Sequence, residues 1–132
     1  MDVGETFLTL SIDIDGVLMP NKNYNRGRTF EYDVRDLLEA SGYQAARTAG
    51  SHGLADVIGW SSSTIVFVQC KHTTKKTINL TEILKGDNIK KFELMDYPQS
   101  ALKFLAIKQG MSSDPLILCW SEMNQNWYMS KF

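Results

Sequence analysis

The chain lacks any apolar run long enough to cross a bilayer, and no basic N-terminal segment precedes a cleavable apolar stretch. Neither a membrane span nor a secretory leader is therefore expected, and the cytoplasm is the expected compartment. Cysteine is scarce: Cys70 and Cys119 each sit inside an apolar, strand-like run, outside any Cys/His cluster at metal-ligand spacing. Reduced core thiols are expected, not a disulfide or a zinc site. An excess of one charge is missing too, since the formal net charge is -1, which does not advertise nucleic acid. Repeats and low-complexity tracts are absent. With 132 residues, 43% of them hydrophobic and 22% charged, the sequence reads as one soluble globular domain over 1–132, able to bury its own core.

The charge that is present is unevenly placed. Residues 1–20 sum to -4 and residues 69–91, with Lys71, Lys75, Lys76, Lys85, Lys90 and Lys91, sum to +4. Such asymmetry steers a polyanion more than the total does, although a lysine-rich loop is as often a solvated surface.

Apolar alternation around Asp15-Gly16 predicts a small β-hairpin over Phe7 to Met19 in an N-terminal extension, residues 1–24. The polar residues 21–28 read as a linker. From Thr29 the period becomes helical, with Phe30, Val34, Leu37 and Leu38 on one face, Thr29 as cap, Glu31 in the first turn and Gly42 just past the end. Strands are expected at 43–48, 54–60 and 64–71, the last two forming a hairpin through Ser61 to Ser63. Residues 79–94 are irregularly helical around Gly86. Pro98 opens an expected helix over 99–109, and strands follow at 115–120 and 127–132. The expected order behind the N-terminal hairpin is α-β-β-β-α-β-β, an α/β fold with a mixed sheet flanked by helices.

The hairpin over residues 54–71 gathers polar groups at one end. Asp56 stands at the head of its first strand, and alternation puts Gln69 and Lys71 on one face of the second. If Glu31 joins them, two carboxylates and a carboxamide make a set of hard oxygen donors suited to Mg²⁺. A lysine beside such a cation can orient water and offset developing charge on a phosphodiester.

These residues resemble the PD-(D/E)XK nuclease superfamily, and within it the archaeal-type Holliday junction resolvases. The resemblance runs over residues 26–130. It is carried by Arg26-Gly27-Arg28-Thr29-Phe30-Glu31, by Gly42-Tyr43, by Arg47 through Ser51 and Gly53, by Asp56-Val57-Ile58, and by Ile65 through Gln69-Cys70-Lys71. It implies a restriction-endonuclease-like core that hydrolyses DNA phosphodiester bonds in four-way junctions, serving recombination and repair. It further implies Mg²⁺ (with Mn²⁺ able to substitute) held by Glu31, Asp56, Gln69 and the Cys70 backbone carbonyl, Lys71 as catalytic lysine, and a homodimer that cuts two strands. Arg26, Arg28, Arg47, Ser51, His52, Lys75 and Lys76 are candidate DNA contacts, while Trp60, Trp120 and Trp127 read as core or dimer surface.

Two departures stand out. The proline before the Asp is replaced by Ala55, and the second-strand acid by Gln69. The loss of one negative charge predicts weaker binding of a single metal. A homing or restriction-type endonuclease, or a non-cleaving DNA-binding protein, are the alternatives within this fold. Asp13-Ile14-Asp15-Gly16 also resembles the first motif of haloacid dehalogenase-like phosphatases, but the later acidic pair of that family has no match, and the turn from Trp60 to Thr64 is too short for a parallel crossover.

Overall fold

The computed structural model describes residues 10–12, 18–20, 22–48, 55–110 and 114–132, with side chains from Gly27 onward. Strands β1 (Leu10–Ile12) and β2 (Leu18–Pro20) pair antiparallel, as the hairpin reading expects; its Asp15-Gly16 turn lies outside the described residues. Helix α1 (Lys22–Ala40) leads into β3 (Gln44–Arg47), β4 (Val57–Trp60) and β5 (Ile65–Thr73). Two helices follow, α2 (Leu80–Leu84) and α3 (Asp87–Leu94), then β6 (Leu102–Gln109), β7 (Leu116–Ser121) and β8 (Asn126–Met129). The main sheet has six strands in sequence order, β3 to β8, and only β5 and β6 run parallel. Residues 74–101, carrying α2 and α3, form the crossover that a parallel pair requires. A mostly antiparallel sheet is not the parallel arrangement that the phosphatase resemblance demands.

Each face of the sheet has its own apolar core. Phe30, Val34 and Leu38 recur at helical spacing on α1 and pack with Val57, Val66, Val68, Phe104 and Ala106. Full burial of such side chains stabilises by about 1.5–3 kcal/mol each. On the other face Ile89 and Phe92 of α3 meet Leu105, Ile107, Leu118, Trp120 and Trp127. Gly59 lets α1 approach: a Cβ there would lie 2.9 Å from Val66 Cγ2 and 3.3 Å from Leu38 Cδ1. Gly42, at φ +99°, ends the helix, with its N–H donating to Glu39 O and the Tyr43 N–H to Leu38 O, so that both orphan carbonyls are satisfied. Asn79 caps α2 by accepting from the Glu82 N–H at 3.1 Å.

Three expectations are corrected. Residues 22–28 are helical, not a linker: α1 begins seven residues before Thr29, which is therefore inside the helix and not its cap. Its first turns have no apolar stripe and so gave no periodic signal. Glu31 is consequently in mid-helix, not in the first turn. Residues 102–109 form a strand, not a helix, and the order becomes α-β-β-β-α-α-β-β-β. β6 is central and parallel to β5, and Lys103 through Ile107 are all buried. A strand covered on both faces reads as a continuous apolar run instead of an alternation, and such a run mimics a buried helix. Among the described residues, no helix is long and apolar enough to cross a membrane. Both cysteines are free.

Candidate active site

The β4–β5 pair is in register at Val57 opposite Val68, so Asp56 lies at its open end. There the ladder is interrupted. The Asp56 N–H donates to Val68 O at 2.8 Å, and the Asp56 carboxylate takes the Cys70 N–H at 2.8 Å, in place of a strand carbonyl. Helix α1 brings Glu31 to the same end, where the Arg47 Nε donates to Glu31 Oε1 at 2.7 Å. This ion pair is largely withdrawn from water, with the side chains 7% and 20% exposed.

Electrostatics tie the carboxylates together. Burial first, and then repulsion from Asp56, push the Glu31 carboxyl up to about 7, against the pull of Arg28. Arg47 at 2.7 Å favours the ionised form as well. Burial also raises Asp56, opposed by the Cys70 N–H and by Arg47. Burial drives the Cys70 thiol well up, with Asp56 and Glu31 adding to the effect. Glu31, Arg47, Asp56 and Cys70 are thus one cluster.

Gln69 and Lys71 leave β5 on the opposite face from Cys70. They pair with Leu105 and Ile107 of the α3-side core, whereas Cys70 packs on the α1 side. Gln69 is buried, and its Oε1 has no hydrogen-bond partner. An orphaned carbonyl oxygen is costly and is the atom a metal would use. Lys71 is exposed and borders a groove of about 380 Å³ with Thr73, Lys75, Thr77, Asn79 and Glu82. Lys75 reaches Glu82 at 3.5 Å in solvent, and Lys76 is exposed. Of the remaining candidates, Arg28 contacts the Tyr32 hydroxyl at 3.2 Å. For Arg26 the helical backbone alone is described. Ser51, His52, Asp13 and Asp15 lie outside the described residues. Among the described residues no three acidic, His or Cys side chains form a ready metal cluster. The donor set of Glu31, Asp56, Gln69 Oε1 and the Cys70 carbonyl is nevertheless all hard oxygen, which fits a single Mg²⁺-like ion that keeps its own waters.

Sequence reasoning missed Tyr32 and Arg35. The guanidinium carbons of Arg28, Arg35 and Arg47 lie 5.4, 4.8 and 5.2 Å from the Tyr32 ring centre. The i, i+4, i+7 spacing of Arg28, Tyr32 and Arg35 would have signalled the cluster, had the helix been started early enough to include Arg28.

Comparison with known proteins bears on the same stretch. Residues 22–126 match the family described as archaeal Holliday junction resolvase (hjc). The crossover junction endodeoxyribonuclease Hjc of Methanocaldococcus jannaschii is 36% identical over 74 residues, which are 48% of this chain. The chain spans only 55% of that relative's length. The structure of Hjc from Archaeoglobus fulgidus, described as a Holliday junction resolvase from an archaeal hyperthermophile, superposes with a TM-score of 0.52 at 18% identity, over 78% of this chain and 85% of that one. The fold is therefore restriction-endonuclease-like, and with the family match covering residues 22–126, the chain belongs to the archaeal Holliday junction resolvase family of the PD-(D/E)XK superfamily.

Proposed function

We propose that this protein is a Mg²⁺-dependent endonuclease that hydrolyses phosphodiester bonds in four-way DNA junctions. The observation that supports this most is the meeting of Glu31 and Asp56 at the open end of the β4–β5 pair, with the buried Gln69 Oε1 left unbonded in the next strand position. Glu31, Asp56, Gln69 and the Cys70 carbonyl would hold the ion; Mn²⁺ offers the same charge and ligand preference. When bound, a divalent cation polarises the scissile phosphate and makes its water more acidic.

The chain's own residues do the rest. The Cys70 N–H donates to Asp56 Oδ2 and so orients that carboxylate, and Arg47 Nε does the same for Glu31 Oε1. Lys71, exposed at the mouth of the groove, offers three N–H donors to the phosphate and offsets its growing charge. Lys75 and Lys76 extend that positive edge along a DNA backbone. Gln69 supplies an oxygen without a charge, so Glu31 and Asp56 alone balance the cation, which favours one weakly held metal. Two symmetric cuts across a junction require two sites, hence a homodimer.

Gln69 also favours a second reading, a DNA-binding protein that does not cleave. The two separate on labelled four-way junction, linear duplex and single strand, each incubated with Mg²⁺ or EDTA, beside Lys71→Ala and Asp56→Ala. Paired symmetric nicks confined to the junction, lost with EDTA and in both variants, support the resolvase. Binding with no metal-dependent cleavage of any DNA supports the second reading, and cutting at one duplex sequence points to a restriction-type or homing enzyme.

A further inference from the structure

Both cations that act on Glu31 share a neutral partner. Arg47, which bonds Glu31 Oε1 at 2.7 Å, and Arg28, which lowers the Glu31 proton affinity, each lie against the Tyr32 ring, at 5.2 and 5.4 Å. The Tyr32 hydroxyl accepts from Arg28 Nη2 at 3.2 Å. Arg35 closes the group at 4.8 Å and is itself held from outside by Asp36 at 2.8 Å and Glu39 at 3.5 Å. Three guanidiniums repel one another, and a carboxylate as withdrawn as Glu31 cannot neutralise them all. The negative face of an aromatic ring can hold cations together without adding a charge. An aliphatic side chain of the same size cannot.

We propose that Tyr32 is a positioning residue for the carboxylate site: its ring packs Arg28 and Arg47 beside Glu31 and so fixes the direction in which that carboxylate is presented. The placement stands on the geometry alone, and its catalytic consequence rests on the nuclease reading above. Tyr32 itself touches neither metal nor DNA in this scheme. It acts through Arg47, whose side chain is 7% exposed and has little room to find another rest position.

The test begins with the native protein. Proton NMR should show cross-relaxation between the Tyr32 ring protons and the Arg47 Nε–H, and that Nε–H should carry a ring-current shift. Tyr32→Leu should abolish the shift; Tyr32→Phe, which keeps the ring and loses the Arg28 hydrogen bond, should retain it. On junction DNA, Tyr32→Leu should lower kcat roughly 10- to 100-fold with KM little changed, and Tyr32→Phe should stay within about threefold of the native enzyme. Absence of the cross-relaxation, an unmoved Arg47 signal in Tyr32→Leu, or equal losses in the Phe and Leu variants would each overturn the proposal. If Tyr32→Leu does not fold, the native cross-relaxation and the Phe variant decide. If the native protein cuts no DNA while the Arg47 signal moves as expected, the positioning role holds and the nuclease reading fails.

Discussion

Two groups of buried charge lie on opposite faces of the same sheet, and their partners differ in kind. On the α3 face Lys103 of β6 is completely buried, yet its Nζ donates to Glu93 O at 2.7 Å, lies 3.5 Å from Glu122, and sits 4.3 Å from the centre of the Tyr97 ring. Glu93 in turn accepts from Trp127 Nε1 at 2.8 Å, which ties the end of α3 to β8. Burial lowers the Lys103 amine, but Glu122, Glu93 and Asp96 all favour its charge. The cation also meets the carbonyl end of a helix, where positive charge is welcome. On the α1 side burial raises the Glu31 and Asp56 carboxyls, while next to Cys70, on the α3 face of β5, the buried Gln69 Oε1 has no hydrogen-bond partner. A satisfied buried charge fastens a fold together. Carboxylates withdrawn from water beside a carbonyl oxygen with no hydrogen-bond partner cost stability and are kept where something else binds.

The contrast is broken most directly by exchanging what each cluster is for. Lys71→Ala should lower the rate of junction cleavage by at least a hundredfold in single-turnover assays, with the thermal midpoint almost unchanged, because Lys71 is exposed. Lys103→Ala should do the reverse. It strands the Glu93 carbonyl and leaves a cavity where the buried stem packed, and should cost about 3 kcal/mol in urea unfolding while leaving the cleavage chemistry intact in protein that remains folded. Lys103→Met, which keeps the volume, should recover part of that loss.

Gln69→Glu sharpens the comparison from the other side. A third acid beside Asp56 should tighten Mg²⁺ binding by roughly tenfold and lower the stability of the metal-free protein. Calorimetric titration checks the first and thermal melts in EDTA check the second; an unchanged Mg²⁺ requirement would count against Gln69 as a ligand.

The Glu31 carboxyl sets a pH dependence. Burial pushes the carboxyl up to about 7 from the ordinary 4.5, so the folded state binds the extra proton more tightly than the unfolded chain. Through this group the metal-free protein should lose stability as pH rises from about 4.5 to 7 and change little beyond. A divalent cation needs the ionised carboxylate, so its stabilising effect in melts should grow over the same interval with release of a proton. The smallest effect expected is that of Lys76→Ala, which should weaken DNA binding evenly across sequences and reduce the salt slope by about one.

The parts of this molecule that could be read from the letters are those where one face decides the pattern. The β4–β5 hairpin, the Gly42 helix end and the apolar stripe of Phe30, Val34 and Leu38 announce themselves because side chains must alternate or recur to reach a single core. The same logic explains the failures. The start of α1 carries polar residues that a core does not select, and β6 is apolar on both faces, so neither showed its period. The site was legible as a list, Glu31, Asp56, Gln69 and Lys71, through resemblance to a family. Its arrangement was not, since the Glu31–Arg47 pair joins residues that only the packing of α1 on β3 brings within reach.

What the sequence determined by itself is the chemistry on offer: hard oxygens at one end of a hairpin, a lysine two positions on, and a glutamine where a third acid would stand. What the tertiary structure alone decided is the state of those groups. Proton affinity and orientation depend on burial and on charges a few ångströms away, and these come from residues distant in the chain. Arg47 reaches Glu31 across the helix–sheet interface, Tyr32 gathers the arginines, and Lys103 finds its partners in α3, in the connection before β6 and in the β7–β8 turn. Distances of that kind are set by how faces pack, which no local pattern of letters encodes.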